Sequence, residues 1–424
     1  MRGLAEKPEA AAPAAQGDGQ SSGLDLLKSL RRLPRVVWLL SLASLLNDVS
    51  SEAIFPLLPM FLTSLGAPMR FLGLIEGSAD ALSSVIKMLA GAWSDRGPRR
   101  LMVTGGYLMP ALARALIAVA VAPWHVLAAR LFDRAGKGIR SGPRDALLAD
   151  SVAAGQRGRA FGLNRAMDHL GAALGLLIAS ALLSLGVGLR STFAVAAGIG
   201  LLAPVVLFFR LRDPRRAEAA APVAAAPGAE RTRLRRGFVP YLAACVLFAL
   251  GNSSDAFLLV RAHEVGWPMT ELPLIWLLHH LVKSVVAIPG GALSDRQSRA
   301  VVVSAGWAAY AVTYLGFGFA KAPWQIVVLF VAYALYHGLA EGAERAIVAD
   351  LAESGARGRA FGLYHGCVGV AALPAGLATG WVWDAAGPRW ALGMNALFAA
   401  AASLLLASLA FGGPLRRSSS SGGA

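Results

Sequence analysis

The chain has 424 residues, 56% hydrophobic and only 15% charged, with a formal net charge of +15 and a mean hydropathy of +0.56. A soluble domain carries about 25% charged residues, so this composition excludes one and demands a bilayer. The positive charge does not point to nucleic acid, because no aromatic-basic patch accompanies it; Cys245 and Cys367 both fall inside apolar runs, which excludes a disulfide framework.

Residues 1–23 hold Ala, Pro, Gly and acids without a hydrophobic h-region, so the first span, not a cleaved signal peptide, is expected to direct insertion. Leu24, Leu27, Leu30 and Leu33 alternate with Lys28, Arg31 and Arg32, a pattern that fits either an amphipathic surface helix or a disordered tail. Apolar stretches then read as six spans in residues 35–211 and six in 237–411. The plainest are 101–122, 191–209, 300–320 and 390–410, each near the roughly 20 residues that cross the hydrocarbon core. Residues 212–236, rich in Ala, Pro and charge, read as a flexible linker, and 1–34 and 412–424 as tails.

Basic residues occupy every second loop: Arg96, Arg99 and Arg100; Arg157 and Arg159; 210–236; Arg296 and Arg299; Arg357 and Arg359; Arg416 and Arg417. The other loops hold only Arg70, Arg190, Lys321 and Arg389. By the positive-inside rule the first set and both termini are cytoplasmic. The Ala, Gly and Arg bias suggests a GC-rich bacterial source and hence an inner, plasma membrane.

Two stretches recur at an offset of 200. Gly91-Ala92-Trp93-Ser94-Asp95-Arg96 returns as Gly291-Ala292-Leu293-Ser294-Asp295-Arg296, and Arg157-Gly158-Arg159-Ala160-Phe161-Gly162-Leu163 returns at 357–363. A third pair, Ala122-Pro123-Trp124 and Ala322-Pro323-Trp324, keeps the register. Such a duplication marks a membrane protein built from two repeats. Ionisable residues follow a period of three spans: spans 6, 9 and 12 carry essentially none, and span 3 only Arg114. A charge at mid-bilayer costs at least about 2.5 kcal/mol, so eight helices are expected to line a polar interior and four to face lipid.

These residues resemble the major facilitator superfamily. The likeness rests most on the loop between spans 2 and 3, with Gly91, Asp95, Arg96, Arg99 and Arg100, and on its second copy, Gly291, Asp295, Arg296 and Arg299. Pro98 replaces the usual glycine of that loop. The resemblance implies an all-α membrane protein of twelve transmembrane helices, arranged as two pseudo-symmetric six-helix halves around a central cavity. It also implies that these loop residues act in gating, with the aspartate at a helix N-terminus of the other half, where anions are stabilised. Gly171 and Gly175 on span 5 resemble part of the segment found in the family's drug and proton antiporters, although Leu176 stands where that segment has proline; close helix packing is the other reading.

The interior charges carry the functional expectation. Asp48 and Glu52 are spaced i, i+4 on span 1, as are Glu76 and Asp80 on span 2, so each pair shares a helix face; with Asp168 they are the candidates for proton coupling. Arg130, Asp133, Arg134 and Lys137 lie roughly 9 to 20 Å past Trp124 along span 4 and, with Arg165, His169, Asp255, His337 and Glu341, are the candidate solute-binding residues. Internal ion pairs, such as Asp80 or Glu52 with Arg134 or Arg165, are the alternative for any one of them. The expected activity is secondary transport by alternating access: proton-coupled efflux of a small organic solute, or proton-coupled symport of an organic anion favoured by the Arg130, Arg134, Lys137 stripe. A transport-inactive membrane receptor is the reading from another class. No enzyme, cofactor or metal is expected, since no nucleophile motif or metal-spaced cluster stands out. The partners expected are the small-molecule solute, protons and the lipid bilayer, and the chain is expected to be a monomer.

Overall fold

The computed structural model describes residues 33–94, 98–153, 156–211, 234–353 and 357–412. The possible amphipathic helix before residue 33, the linker up to 233, and Asp95 and Arg96 of the first loop expected to act in gating lie outside the described residues. Among those described, the α-helices are α1 (Arg35–Ile54), α2 (Leu58–Ser64), α3 (Met69–Ser94), α4 (Arg99–Ala118), α5 (Pro123–Asp150), α6 (Arg157–Ser184) and α7 (Leu189–Arg210) in the first half. The second half has α8 (Phe238–Gly251), α9 (Ala256–Glu264), α10 (Leu272–Arg296), α11 (Arg299–Phe319), α12 (Pro323–Asp350), α13 (Arg357–Ala386) and α14 (Pro388–Phe411). Spans 35–64 and 238–264 each join two helices, α1 with α2 and α8 with α9. Nine described spans are long and apolar enough to cross a membrane; α3, α5 and α10, the remaining long helices, carry much of the interior charge.

The duplicated Ala-Pro-Trp tripeptides are helix starts. Pro123 and Pro323 occupy the first turn, where a missing N–H costs nothing. Two residues on, the side chain returns to the free amides: His125 Nδ1 accepts from Ala122 N at 3.2 Å, and Gln325 Oε1 accepts from Ala322 N at 3.0 Å. Trp124, Trp324, Trp381 and Trp390 are all well exposed, as tryptophans that sit at a membrane interface are.

Helices α3 and α13 form the tightest seam between the halves. A Cβ at Gly73 would stand 1.9 Å from Gly376 O, at Gly77 2.7 Å from Ala372 O, and at Gly380 2.4 Å from Met69 O. Only glycine allows backbones this close. At one end of the seam Asp384 accepts hydrogen bonds from Met69 N at 2.8 Å and Arg70 N at 3.0 Å, so a carboxylate of one half caps a helix of the other. Ser180 Oγ donates to Thr270 O at 2.8 Å between α6 and the turn before α10. The halves are thus joined at the end that holds Met69, Ser180, Thr270 and Asp384.

Removing the Asp384 cap should cost about 1 kcal/mol and favour separation of this end. Asp384→Ala is expected to raise labelling of a cysteine introduced at Thr270, with little loss of thermal stability. Unchanged labelling would show that the cap does not hold this end shut.

The arginines at the opposite end bind within their own halves. Arg99 Nη1 meets Asp150 Oδ2 at 2.6 Å, Arg100 Nη2 donates to Phe208 O at 2.6 Å, and Arg299 repeats the first pairing with Asp350 at the repeat offset of 200. Gly91 lies in the last turn of α3, and Gly291, Asp295 and Arg296 close α10. The end of the expected linker is anchored: Leu234 bridges to Ala352, and Arg235 N donates to Leu351 O at 3.0 Å.

Candidate functional site: a polar cavity between the halves

Three pockets of about 280, 240 and 260 Å³ share Arg134 in their walls. The first holds Glu76, Asp80, Asp255, Tyr333 and His337. Asp48, Glu52, Arg130, Asp133, Lys137 and His280 line the second, and Ser83, Lys87, Lys137 and His365 the third. Both halves therefore contribute to one polar interior.

Behind Arg134 lies a buried chain of ion pairs. Arg130 binds Glu76 through both carboxylate oxygens, with Nη2 at 2.8 Å from Oε1 and 3.0 Å from Oε2, and Arg130 Nη1 stands 3.8 Å from Asp133 Oδ2. Arg114 Nη2 reaches Asp133 Oδ1 at 3.4 Å and Asn47 Oδ1 at 3.1 Å, while its Nη1 donates to Asn47 O at 3.1 Å. All four charged residues are buried. Glu76 is thus held by a forked guanidinium, and protonating it would leave Arg130 buried with only the more distant Asp133. Arg114 corrects the expectation for span 3, whose exposed side is apolar at Leu108, Leu112 and Leu116 while its other side reaches the cavity wall.

At the repeat offset the second half replaces these ion pairs by rings. Trp276 and Phe330 stand where Glu76 and Arg130 do, with centroids 6.2 Å apart and edge to face. Tyr314 and Tyr333 stand where Arg114 and Asp133 do, 5.8 Å apart. His279 continues this lattice, stacked on Trp276 and on Tyr333 at 5.0 Å each, and its Nδ1 is 3.2 Å from Phe330 O. His280 instead lines the second pocket, and its buried Nε2 has no hydrogen bond.

Both first spans of the repeat are broken at cavity level. In span 1 a 3-10 turn, Phe55–Leu57, separates α1 from α2 at Pro56, which cannot supply a ladder N–H. In span 7 the run Asn252-Ser253-Ser254-Asp255 separates α8 from α9. Neighbouring helices meet the polar groups at this break: Tyr310 OH donates to the Gly251 carbonyl at 3.0 Å, Asn395 Nδ2 donates to the side chain of Ser253 at Oγ, 2.8 Å, and Tyr333 OH donates to the carboxylate of Asp255 at 2.6 Å. A broken span is tolerated where it lines a cavity. The polar four-residue run was the available sequence signal for it. Asn395, fully buried on span 12, had none, because one amide in an apolar helix looks like a lipid-facing position.

The remaining candidates lie in two groups. Asp48, Glu52 and Asp255 are cavity carboxylates with neutral donors: Asn47 Nδ2 to Asp48 Oδ1 at 2.9 Å, Trp276 Nε1 to Glu52 Oε2 at 3.2 Å, and Tyr333 to Asp255. Asp80 meets Arg134 Nε at 3.8 Å, one of the ion pairs foreseen as an alternative; Glu52 pairs with neither Arg134 nor Arg165. Arg165, Asp168, His169 and Glu341 stand outside the three pockets. Arg165 is 3.8 Å from Asp168, and Glu341 is bound by Lys283 at 3.1 Å and Arg345 at 3.0 Å. Gly171 and Gly175 pack on span 1, where a Cβ would meet Leu45 O at 2.5 Å and Val49 O at 2.3 Å; close packing accounts for both.

Comparison with known proteins agrees with this architecture. The profile of the Major Facilitator Superfamily matches residues 40–278 and 256–424, once for each half. An uncharacterised MFS-type transporter of Methanocaldococcus jannaschii is 31% identical over 368 residues, covering 83% of this chain and 89% of that protein. The multidrug resistance protein MdtH of Cronobacter sakazakii is 25% identical over 345 residues, covering 78% and 82%. Among solved structures, a bacterial homolog of the human lysosomal transporter Spinster, inward-facing and occupied, superposes with a TM-score of 0.72 at 15% identity, covering 88% of this chain and 95% of that one. A two-halved helical fold around a polar cavity and a family profile spanning both halves agree, and the chain belongs to the Major Facilitator Superfamily.

Proposed function

We propose that this secondary transporter couples proton entry to the efflux of a small organic solute through the cavity around Arg134. The observation that carries the coupling is the group of three cavity carboxylates, Asp48, Glu52 and Asp255, each held by a neutral donor. A carboxylate with such partners takes up and releases a proton without orphaning a buried cation, and opening or closing the cavity alters its hydration. The likeness to MdtH supports export. The basic loops favour a cytoplasmic side for the ends bearing Arg99 and Arg299 in a bacterial inner membrane, with the joined end facing outward. One chain encloses the whole cavity, which supports a monomeric carrier.

Asp48 is the foremost coupling group, because it lies about halfway along span 1, roughly 20 Å from Arg35. Asp48→Asn in proteoliposomes is expected to keep solute counterflow while an imposed proton gradient no longer drives accumulation. Gradient-driven transport equal to wild type would remove Asp48 from the mechanism.

A further inference from the structure

The third pocket, about 260 Å³, has an excess of positive charge. Lys87, Arg134 and Lys137 line it against one carboxylate, Asp80. That carboxylate is 55% exposed and approaches Arg134 no closer than 3.8 Å. Among the described residues neither lysine has an ion-pair partner.

The fold brings the two lysines together. Gly138 presses on α3 so closely that a Cβ there would lie 2.5 Å from Ile86 Cγ2 and 3.4 Å from Lys87 N. Lys137 adjoins that contact on one helix and Lys87 on the other. Lys87 and Lys137 are both open to this pocket, and two like charges lining one pocket inside a membrane protein repel one another. One turn before Lys87, Ser83 also lines the pocket; it is 4% exposed, and among the described residues its Oγ has no hydrogen bond. A buried hydroxyl without a partner is costly as well. An anion between these groups would relieve the repulsion and accept from the hydroxyl together.

Resting on the carrier reading above, we propose that this pocket binds the anionic group, a carboxylate or phosphate monoester, of a water-soluble organic solute. Lys87, Lys137 and Arg134 supply the charge and Ser83 a hydrogen bond. Anion binding would also compete with Asp80 for Arg134, linking the solute site to the cavity carboxylates.

The test uses the full chain in a nonionic detergent at constant ionic strength, with benzoate, phenyl phosphate and benzylamine as probes. Binding is read by the thermal midpoint and by protection of Lys87 and Lys137 from acetylation, mapped by mass spectrometry. At least one of the two organic anions is expected to raise the midpoint and protect both lysines, and benzylamine to do neither. Lys87→Gln and Lys137→Gln should each weaken anion binding about tenfold or more, whereas Lys321→Gln, on the opposite loop, should leave it unchanged. Protection in the unaltered protein does not depend on whether a variant folds. No protection by either anion, equal protection by benzylamine, or protection only by inorganic phosphate or by phosphatidylglycerol in nanodiscs would overturn the assignment. Failure of the carrier reading has a different outcome: the anions protect the lysines, yet no solute moves in counterflow.

Discussion

Arg130→Ala is expected to destabilise the protein by about 3 to 5 kcal/mol, the cost of leaving one partner of a buried ion pair alone. Glu76, 3% exposed, would lose its forked partner, and among the described residues no other cation lies within 4 Å of it. Thermal unfolding in detergent should show a much lower midpoint and loss of the monodisperse species. The double variant Glu76→Gln, Arg130→Gln should recover a large part of the loss, because it removes both charges together. The second half shows the charge-free solution at the same register, Trp276 against Phe330. A midpoint for Arg130→Ala equal to wild type would mean that water reaches Glu76 and that the pair is not a structural element.

Gly73→Val should abolish transport. The built Cβ already overlaps Gly376 O at 1.9 Å, and that neighbour is backbone, which cannot rotate aside. The seam from Met69 to Ser84 runs about 22 Å along α3, so helix α13 must move as a body to admit the side chain. Overpacking of this kind costs about 1 to 3 kcal/mol, and it also separates two surfaces on which the halves must turn. Counterflow at background level with a modest fall in thermal midpoint is the expected result. Gly105→Ala is the control, since nothing lies within 4 Å of the position, and it should behave as wild type. Full activity of Gly73→Val would show that the seam opens during the cycle without constraint.

The architecture was legible because its signals are long: a 200-residue repeat, apolar spans of membrane length and a three-span rhythm of charge. The candidate cavity was half legible. Charge buried in apolar sequence identified Asp48, Arg134 and Lys137, since few other positions make such residues tolerable. Their partners were not, because Glu76 with Arg130 and Arg114 with Asp133 depend on which helices adjoin, a property of three-dimensional packing that spacing within one helix does not contain. The neutral contributors were hardest. Asn395 and Tyr310 become informative only once the break in span 7 creates groups for them to meet. Span 3 was only partly legible for a related reason: one arginine, Arg114, turns a single helix face toward the cavity while the exposed side stays apolar.

Trp276 gives the molecule an optical consequence. Its indole N–H donates to Glu52 and its ring lies 5.4 Å from Phe55, so a residue of the second half is held by two residues of the first. Indole emission responds to polarity and to nearby quenching groups. Parting the halves at this level would exchange a carboxylate and a phenyl ring for water around this indole, one of ten in the chain, so a variant keeping Trp276 as its sole tryptophan is expected to report the motion by its emission without an attached dye.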